Sequence, residues 1–407
     1  MSPKSANVVV IGGGALGTSA AFHLAEAGQD DVLLIDRGPI ASATTPQAAG
    51  QTGYLNVDRF AREFGMYCIE FFENFEQRTG HAIDFRQCGS LRVALTKPFQ
   101  ADLDARHKAA QQLGHAVEFL SRSQAQELVP TFDPPEDCRI LLIPRDGYVE
   151  PKSVAVAFAA AAKDRGVAFE TRVEATGLRI NGGCVTGVAT REGTIQARSV
   201  VLAAGAWTRQ FGQRIGLNLR TVPVRHQAFV TGPLAGVLPR QPIVRITEPQ
   251  IYARQEAAGL LVGGYGYRPL SFDMDEFDAT FEIRSLAADP VYYQQLHAAA
   301  TTFFPSLGDA VVIQERRGLP TISPDGRLII SEPGGLRGLV VLSACGVGGI
   351  DRSPGAGRLA AEIVSGDSPW IDPAVLSADR FGDQYATDGS LRARCEEIYA
   401  HHYHEVY

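Results

Sequence analysis

The chain has 407 residues, more than one hydrophobic core usually holds, so two domains are expected. Its hydrophobic content of 45% and charged content of 20% are ordinary for a soluble globular protein. The 38 basic and 45 acidic side chains give a net charge of −7, which offers no sign of nucleic-acid binding. No uninterrupted apolar stretch is long enough to span a bilayer, so no membrane span is expected.

The cysteines and the two termini predict a reduced, cytoplasmic protein. The six cysteines are scattered, and none forms a Cys-x-x-Cys pair. The first residues lead directly into an apolar run, which leaves no room for a signal peptide. His401, His402 and His404 could chelate a metal, but no second ligand cluster accompanies them. They therefore predict a solvated C-terminus and no metal site.

The first predicted strand, over residues 8–11, runs directly into the spacing Gly-x-Gly-x-x-Gly. The first glycine would form the tight turn, the second would let the backbone approach phosphates, and the third would let a helix pack closely on the strand. The dipole and free N–H groups at that helix N-terminus favour an anion, so the motif predicts a pyrophosphate site. The predicted contacts are Gly12, Gly14, Ala15, Leu16 and Gly17.

A second strand is predicted over residues 32–35, and it ends in Asp36. Gly28 is well placed to end the intervening helix. Asp36 lies about 20 residues after the glycines, where a carboxylate can accept the ribose hydroxyls of a dinucleotide. An acid at this position disfavours the 2′-phosphate of NADP.

The elements that follow alternate as in a doubly wound sheet. Residues 42–53 are rich in small and hydroxyl side chains and predict a loop. Helical periodicity then alternates with strand-like runs, and residues 223–318 change to strands with one long helix, the pattern of a sheet that covers a pocket. The predicted helices are 60–78, 101–114, 123–128, 153–166 and 290–304, and the predicted strands include 89–95, 168–179, 187–191, 194–196 and 200–207.

A second glycine-rich turn, residues 343–350, follows a predicted strand over 339–342. Ser353 and Pro354 are typical of a helix start, and Gly366 of a helix end. A second helix N-terminus therefore faces whatever lies on this loop. FAD is long enough to need such a second contact, because reduction places negative charge near N1 and the C2 carbonyl of its flavin. An NAD protein needs no such element, so the pair of loops favours FAD.

These motifs resemble the FAD-dependent amine and amino-acid oxidoreductases typified by D-amino-acid oxidase, glycine oxidase and sarcosine oxidase. The resemblance extends over residues 7–365 and is carried by both glycine loops and by segments 201–207 and 319–326. The stretch from the first glycines through residues 44–50 is most similar to sarcosine and dimethylglycine dehydrogenases. Residues 223–227 are similar to the β-subunits of sarcosine oxidase and to proline dehydrogenase-like enzymes.

The resemblance implies an α/β fold with a Rossmann-like FAD-binding domain of the glutathione-reductase type and an antiparallel-sheet substrate domain, as in D-amino-acid oxidase. The expected boundaries are 1–85, 145–222 and 318–375 for the FAD-binding domain, 86–144 and 223–317 for the substrate domain, and 376–407 for a C-terminal tail. The motifs and the resemblance together imply FAD contacts from Gly12, Gly14, Ala15, Leu16, Gly17, Asp36, Arg37, Thr44, Thr45, Ala49, Gly50, Val173, Ala204, Gly205, Trp207, Gly346, Gly348, Gly349 and Ile350.

Four departures from the family pattern carry information. Gln47 stands where dimethylglycine-type dehydrogenases have a flavin-linking histidine, and residues 318–320 lack the flavin-linking cysteine of sarcosine oxidase, so FAD is expected to bind non-covalently. Leu261 or Val262 stands where sarcosine oxidase has an oxygen-activating lysine, so the electron acceptor is O2 or an electron-transfer protein. Asp351 lies near the position of that family's carboxylate-binding lysine, so the substrate carboxylate is expected to bind elsewhere.

Three arginines are candidates for holding a substrate carboxylate: Arg254, Arg268 and Arg352. Tyr252 and Arg254 are two residues apart on a predicted strand and would share one face, which makes them the preferred pair. The alternative is a solvated strand face. Asp351 with Arg352 could hold a cationic substrate or form a surface ion pair. His226 could lie near the flavin or be a buried structural histidine.

The resemblance implies oxidation of the C–N bond of a secondary or N-methylated amino acid, similar to sarcosine or dimethylglycine, by hydride transfer to flavin N5 and imine hydrolysis. Two alternatives stay open: a D-amino-acid or proline-type dehydrogenase, and a flavin-binding, β-like subunit of a larger amine oxidase complex. The expected partner is a small amine or amino acid, and both a homo-oligomer and a hetero-complex are compatible with the sequence.

Overall fold

The computed structural model describes residues 5–406 and the side chains of residues 5–404. The helices of this range are α1 (Ala15–Glu26), α2 (Arg59–Thr79), α3 (Lys97–Gln112), α4 (Arg122–Leu128), α5 (Pro151–Asp164), α6 (Thr208–Arg214), α7 (Pro290–Thr301), α8 (Ser353–Ser365) and α9 (Asp388–Ala400). The strands up to the middle of the chain are β1 (Val8–Ile11), β2 (Val32–Asp36), β3 (Gln51–Thr52), β4 (Phe85–Arg86), β5 (Ser90–Ala94), β6 (Glu118–Leu120), β7 (Arg139–Ile143), β8 (Gly147–Val149), β9 (Ala168–Thr171), β10 (Ala175–Asn181), β11 (Cys184–Thr190), β12 (Gly193–Gln196) and β13 (Ser199–Leu202). The later strands are β14 (Val222–Pro223), β15 (His226–Thr231), β16 (Ile243–Ile246), β17 (Ile251–Glu256), β18 (Gly259–Gly264), β19 (Val312–Gly318), β20 (Thr321–Ile322), β21 (Ile329–Ser331) and β22 (Leu339–Ser343).

A six-stranded sheet in the order β21-β22-β13-β1-β2-β9 forms the centre of the nucleotide-binding part. Strand β1 pairs in parallel with both β13 and β2, and its apolar residues are buried on both faces. Helices α1, α5 and α8 cover one face, and the three-stranded sheet β10-β11-β12 covers the other. The Rossmann-like arrangement predicted from the sequence is therefore confirmed.

The first helix packs tightly on the sheet and on α8 because small residues occupy the contacts. Gly12 has a φ of +118°, and a Cβ there would lie 2.2 Å from the Ala203 carbonyl oxygen. A Cβ on Gly17 would lie 1.9 Å from the Gly12 carbonyl oxygen. Between the helices, the Ser19 hydroxyl donates to the Ser353 carbonyl at 2.7 Å. This bond joins the second turn of α1 to the first turn of α8, so the beginnings of the two helices lie near each other.

An eight-stranded sheet in the order β19-β15-β18-β17-β16-β5-β7-β6 forms the second part. Strands β5, β6 and β7 come from the segment 86–144, and the other five strands lie within residues 226–318. The parallel pairing of β16 with β5 joins these two segments in one sheet. The domain boundaries themselves stay a prediction.

The long strand expected over residues 168–179 is wrong, because the chain forms two strands there. Strand β9 joins the six-stranded sheet, whereas β10 pairs with β11 in the small sheet. Arg172 lies between them with a φ of +67°, a conformation that interrupts an extended strand.

The expectation of a solvated C-terminus is wrong for His402 and for the helix that precedes it. Leu391, Cys395 and Tyr399 of α9 are buried in a cluster that includes residues of β14, β15, β17, β18 and β20. His402 is buried as well, whereas His401 and His404 are exposed. Helix α9 is thus part of the core, because one side of it carries large apolar residues, and the expected boundary of the tail at residue 376 stays a prediction.

Three further observations concern residues 5–406. No helix in that range is both long and apolar enough to cross a membrane. No group of three or more His, Cys, Asp or Glu side chains is arranged there to hold a metal ion. The six cysteines form no disulfide with one another.

Candidate active site

A cavity of about 660 Å³ is lined by residues of the two glycine loops and of the eight-stranded sheet, and by Ala203, which directly follows β13. A volume in this range is typical of small-molecule and cofactor sites. Of the residues selected from the sequence, those on its wall are Gly14, Ala15, Leu16, Thr44, Thr45, Ala49, Gly50, Gly205, His226, Tyr252, Gly346, Gly348, Gly349, Ile350, Asp351 and Arg352.

The start of α1 presents backbone N–H groups to this cavity. Gly14 is its N-cap, and no side chain caps the helix there. The Ala15 N–H donates to the Thr45 hydroxyl at 3.2 Å, which ties the helix start to the loop that carries Thr44 and Thr45. Gly12 and Gly17 lie behind this turn, where they act through close packing. The uncapped helix N-terminus and the missing side chain at position 14 fit the pyrophosphate of a dinucleotide.

The start of α8 presents a second uncapped N-terminus on the same cavity. Its N-cap, Arg352, makes no capping hydrogen bond through its side chain. Asp351 is buried and accepts from the Gly53 N–H at 3.2 Å, and Arg352 lies 3.3 Å from the same carboxylate. Burial raises the pKa of Asp351, and the charge of Arg352 opposes that shift. The carboxylate is therefore buried and the guanidinium half-buried, in contrast to a surface ion pair.

Asp36 and its neighbours lie beside the first glycine loop but outside the cavity wall. The Asp36 carboxylate accepts from the Gly13 and Gly38 N–H groups, both at 2.6 Å. Burial raises its pKa, and these two hydrogen bonds oppose the shift. A carboxylate at the end of β2 next to the glycine turn fits a ribose. Val173 bonds through its N–H to the Asp36 carbonyl at 2.9 Å.

Arg37, Ala204 and Trp207 also lie outside the cavity wall. The Arg37 guanidinium stacks 3.8 Å above the Trp207 ring and donates to the Phe281 carbonyl. Ala204 precedes a short 3-10 turn over Gly205–Trp207, which ends the strand segment of β13. These residues stay candidates for the nucleotide end of FAD.

A hydrogen-bonded aromatic group forms another part of the wall. The two ring nitrogens of His226 lie 2.7 Å from the Tyr252 hydroxyl and 2.8 Å from the Tyr399 hydroxyl. Burial lowers the pKa of His226 to about 4 and raises the pKa of Tyr252. The imidazole is therefore neutral at pH 7, with one nitrogen donating and the other accepting.

The C-terminal segment adds aromatic residues that the sequence analysis missed. Tyr399 comes from α9, and the His402 ring lies 4.9 Å from the ring of Tyr265. Tyr265, His402 and Tyr403 all line the cavity. Burial lowers the pKa of His402 to about 3. The signal in the sequence was the spacing of Tyr399, His402 and Tyr403, which places aromatic residues on one side of a helical turn.

Arg254 and Arg268 do not reach the cavity wall. Arg254 follows Tyr252 on β17 as expected, but its buried guanidinium donates to the Ala49 carbonyl at 2.7 Å and pairs with Glu256 at 2.6 Å. Burial lowers its pKa, and the charge of Glu256 opposes that shift. Arg268 pairs with Asp289 at 3.0 Å and is half exposed. Arg254 therefore supports the loop that carries Ala49.

Three arginines on the cavity wall, Arg106, Arg245 and Arg327, were not selected from the sequence. Arg245 pairs with buried Asp146 at 2.9 Å, and Arg106 with Asp102 at 2.6 Å. The sequence signal for Arg245 was a single charged residue within an otherwise apolar run. That run is strand β16, and every residue of it is buried.

Comparison with known proteins agrees with this geometry. The family described as DAO, FAD dependent oxidoreductase, matches residues 7–363. The chain is 31% identical to the mitochondrial dimethylglycine dehydrogenase of Homo sapiens over 97% of its own length and 46% of that protein. It is 28% identical to the 4-methylaminobutanoate oxidase (formaldehyde-forming) of Paenarthrobacter nicotinovorans over 98% of its own length and 49% of that protein. It thus spans about half the length of these relatives.

The fold is also that of solved flavoenzyme structures. The L-proline dehydrogenase from P. horikoshii superposes with a TM-score of 0.82 at 23% identity, over 93% of this chain and 98% of that chain. The glycine turns, the two uncapped helix N-termini and Asp36 fit FAD. The chain therefore belongs to the FAD-dependent oxidoreductase family, and FAD is its cofactor.

Proposed function

We propose that the chain oxidises the C–N bond of a secondary or N-methylated amino acid. A hydride leaves the carbon next to nitrogen, and water then hydrolyses the resulting imine to an amine and an aldehyde. When bound, FAD supplies the hydride acceptor at flavin N5. The two relatives named for dimethylglycine and 4-methylaminobutanoate support an N-methylated substrate.

The observation that carries the proposal is the neutral His226–Tyr252 pair on the wall of a buried aromatic pocket. Hydride loss requires a neutral amine, and aromatic walls that exclude water favour that form. The Tyr252 hydroxyl is the hydrogen-bonding group that meets the amine. His226 is neutral at pH 7 and orients this hydroxyl through the hydrogen bond between them.

Residues at two helix starts would hold FAD. The N–H groups from Gly14 to Leu16 would bind the pyrophosphate, and Asp36 would bind a ribose. The loop before α8 would place its N–H groups near N1 and the C2 carbonyl of the flavin, where negative charge develops on reduction. Gln47 lines the cavity and offers no nucleophile, so we propose non-covalent binding.

The residues of β18 bear on which electron acceptor the reduced flavin uses. Leu261 and Val262 are both buried apolar residues, so neither supplies the positive charge that favours electron transfer to O2. We therefore propose slow oxidase turnover and a protein or dye as the better acceptor. A second candidate function is a flavin-binding unit inside a larger protein or complex, which the half-length coverage of the relatives favours.

Anaerobic titration of the purified holoprotein tests the proposal. Sarcosine, dimethylglycine and 4-(methylamino)butanoate are added in turn while the visible spectrum is recorded, with D-proline, L-proline and D-alanine as comparison compounds. We expect one of the N-methylated acids to bleach the flavin band and to release formaldehyde. If only proline or D-alanine bleached the flavin band, the proposed substrate class would be wrong and the D-amino-acid or proline-type alternative would be supported.

A further inference from the structure

A series of four hydrogen-bonding side chains leads from the core to the cavity wall. It starts at Tyr292 of α7, continues through Tyr399 of α9 and His226 of β15, and ends at Tyr252 of β17. Of the four, His226 and Tyr252 line the cavity. The three tyrosines are at most 2% exposed, so their hydroxyl protons find acceptors inside the protein and not in bulk water.

The inner end of this series fixes the direction in which the hydroxyl groups donate. The Tyr292 hydroxyl donates to the Gln227 carbonyl at 2.8 Å and to the Gly264 carbonyl at 2.7 Å. Because a carbonyl oxygen only accepts, the single hydroxyl proton of Tyr292 is committed to these two groups. The Tyr399 hydroxyl also bonds to the Tyr292 hydroxyl, which can offer it only lone pairs. Tyr399 therefore donates to Tyr292.

This direction assigns the tautomer of His226. Its Nδ1 atom lies 2.8 Å from the Tyr399 hydroxyl, whose own proton points to Tyr292. Nδ1 therefore carries a hydrogen and donates to the Tyr399 oxygen. Burial lowers the pKa of His226 to about 4, so the imidazole is neutral at pH 7 and its Nε2 atom carries no hydrogen. Nε2 lies 2.7 Å from the Tyr252 hydroxyl and accepts a hydrogen bond from it.

Tyr252 consequently faces the cavity as a hydrogen-bond acceptor. Its single hydroxyl proton is directed at His226, and among residues 5–404 this hydroxyl has no other hydrogen-bond partner. Its oxygen thus keeps lone pairs for a ligand, and the bond to His226 polarises the phenol and strengthens that oxygen as an acceptor. Gly263 of β18 leaves room for the hydroxyl, since a Cβ there would lie 2.1 Å from the Tyr252 oxygen.

An acceptor at this place distinguishes amines by their number of N–H groups. Hydride loss requires the neutral amine, and a neutral secondary amine still has one N–H that can donate to the Tyr252 oxygen. A neutral tertiary amine has none, so it leaves a buried acceptor without a partner, which costs free energy.

We propose that Tyr252 accepts a hydrogen bond from the substrate N–H, and that Tyr399 is a positioning residue that sets this role through the tautomer of His226. The chain then oxidises secondary N-methylated amino acids in preference to tertiary ones. This inference rests on the proposed function and deepens it by narrowing the substrate class to amines with an N–H in the neutral form.

Nitrogen-15 NMR of the labelled holoprotein reads the tautomer directly. Correlations between the ring C–H groups and the ring nitrogens show which nitrogen carries hydrogen, and the signals that disappear in His226→Gln identify this residue. We expect hydrogen on Nδ1 in the wild type. In Tyr399→Phe, Nδ1 loses its acceptor, so we expect the hydrogen to shift to Nε2. Hydrogen on Nε2 in the wild type would overturn the inference.

Anaerobic rapid mixing of the holoprotein measures the preference through the rate of flavin reduction. N-ethylglycine and N,N-dimethylglycine have the same number of non-hydrogen atoms, but only N-ethylglycine has an N–H in its neutral form. We expect a specificity constant roughly 5- to 100-fold higher for N-ethylglycine, because dimethylglycine leaves the acceptor unpaired. The pair 4-(methylamino)butanoate and 4-(dimethylamino)butanoate repeats the comparison on a longer acid.

Three variants separate recognition of the N–H from size and folding. In Tyr252→Phe the acceptor is absent, so the ratio of the two specificity constants should fall by the same factor. In Tyr399→Phe the Tyr252 proton is released to point into the cavity, so the ratio should fall as well. Tyr293→Phe is the matched control, because its hydroxyl bonds to the Arg316 carbonyl at 3.3 Å, away from the cavity wall, and the ratio should stay unchanged.

The outcomes distinguish the two proposals. Reduction as fast with dimethylglycine as with N-ethylglycine would overturn the inference and leave the proposed function intact. An unchanged ratio and an unmoved tautomer in Tyr399→Phe would assign Tyr399 a structural role and overturn its positioning role. If none of these amines reduces the flavin, the proposed function fails and the substrate preference fails with it.

Discussion

Arg254 and Arg245 are buried arginines on neighbouring strands, yet only Arg245 lines the cavity. The alternation of β17 places Tyr252 and Arg254 on one face, as the sequence indicates. The residue beside Tyr252 in the sheet is nevertheless Arg245, its register partner on β16. Which arginine lines the cavity therefore depends on strand pairing and on where each guanidinium finds acceptors.

Replacing Arg254 tests its supporting role. In Arg254→Ala, the Ala49 carbonyl and the Glu256 carboxylate each lose a buried partner, so we expect about 3 kcal/mol of lost unfolding free energy. Urea unfolding measures this loss, with half-exposed Arg268→Ala as a control expected to lose under about 1 kcal/mol. If the stability of Arg254→Ala were unchanged and its KM were raised, Arg254 would instead be assigned to substrate binding.

Gly14 tests the pyrophosphate site. Gly14→Val places a Cβ 3.2 Å from the Thr45 hydroxyl and methyl groups in the space for phosphate, so we expect a folded protein without bound FAD. The ratio of visible to ultraviolet absorbance after purification measures FAD content. Gly177→Ala on β10 is the matched control, because its added methyl group meets no atom within 4 Å. A yellow Gly14→Val protein contradicts the assignment.

His226 links the site to pH. Its pKa is about 4 in the folded protein and 6.5 when unperturbed, so the unfolded chain binds the proton more readily. Stability is therefore lost as pH falls from 6.5 towards 4, by about 2 kcal/mol between pH 7 and pH 5 from this group. Urea unfolding of wild type and His226→Gln at both pH values measures the difference. An identical loss in both proteins would contradict burial of a neutral imidazole.

At the scale of elements, the pairing of α1 with α8 and the docking of α9 build the site. The Ser19–Ser353 hydrogen bond keeps two helix starts near each other, and a Cβ on Gly357 would lie only 2.3 Å from the Ser19 hydroxyl. Helix α9 carries Tyr399 to His226 from the far end of the chain. The cavity thus depends on contacts between elements that are hundreds of residues apart.

Shortening the apolar side chains by which α9 packs on the core should lower the free energy of unfolding. Leu391 is 1% exposed, so Leu391→Ala is expected to lower the unfolding free energy by about 2–5 kcal/mol. Denaturant unfolding measures the change, and Ile180→Ala, at a 44% exposed position, should lose under about 1 kcal/mol. If both variants were equally mild, α9 would not be part of the core.

At the scale of the whole molecule, the cavity lies where two parts of the protein meet, since its wall takes residues from the glycine loops that follow β1 and β22 and from the eight-stranded sheet. A ligand that binds only the folded state stabilises it by mass action, by about 2.7 kcal/mol at a hundredfold excess over Kd. The holoprotein should therefore melt at a higher temperature than the apoprotein.

Non-covalent binding is checked on the same preparation. Gln47 has no group that forms a bond to the flavin, so denaturation in acid should release all the yellow colour into the supernatant. Filtration and absorbance of the filtrate give the released fraction. Colour that stays with the precipitate would point to a covalent link through another residue.

The sequence by itself determined the cofactor and the fold class. The glycine spacing, Asp36 and the helix start at Ser353 are local patterns, because the backbone conformations they need are set by residues a few positions apart. The match over residues 7–363 confirms the family that these patterns indicated.

Only the tertiary structure decided which side chains line the substrate part of the cavity. Arg245 joined the wall through strand register, His402 joined it after the docking of α9, and Tyr399 of α9 bonds to His226 on the wall. The guanidinium of Arg254, by contrast, donates a hydrogen bond to the Ala49 carbonyl and pairs with Glu256. These outcomes depend on contacts between segments that are distant in the chain, and the spacing of residues along the sequence does not predict such contacts.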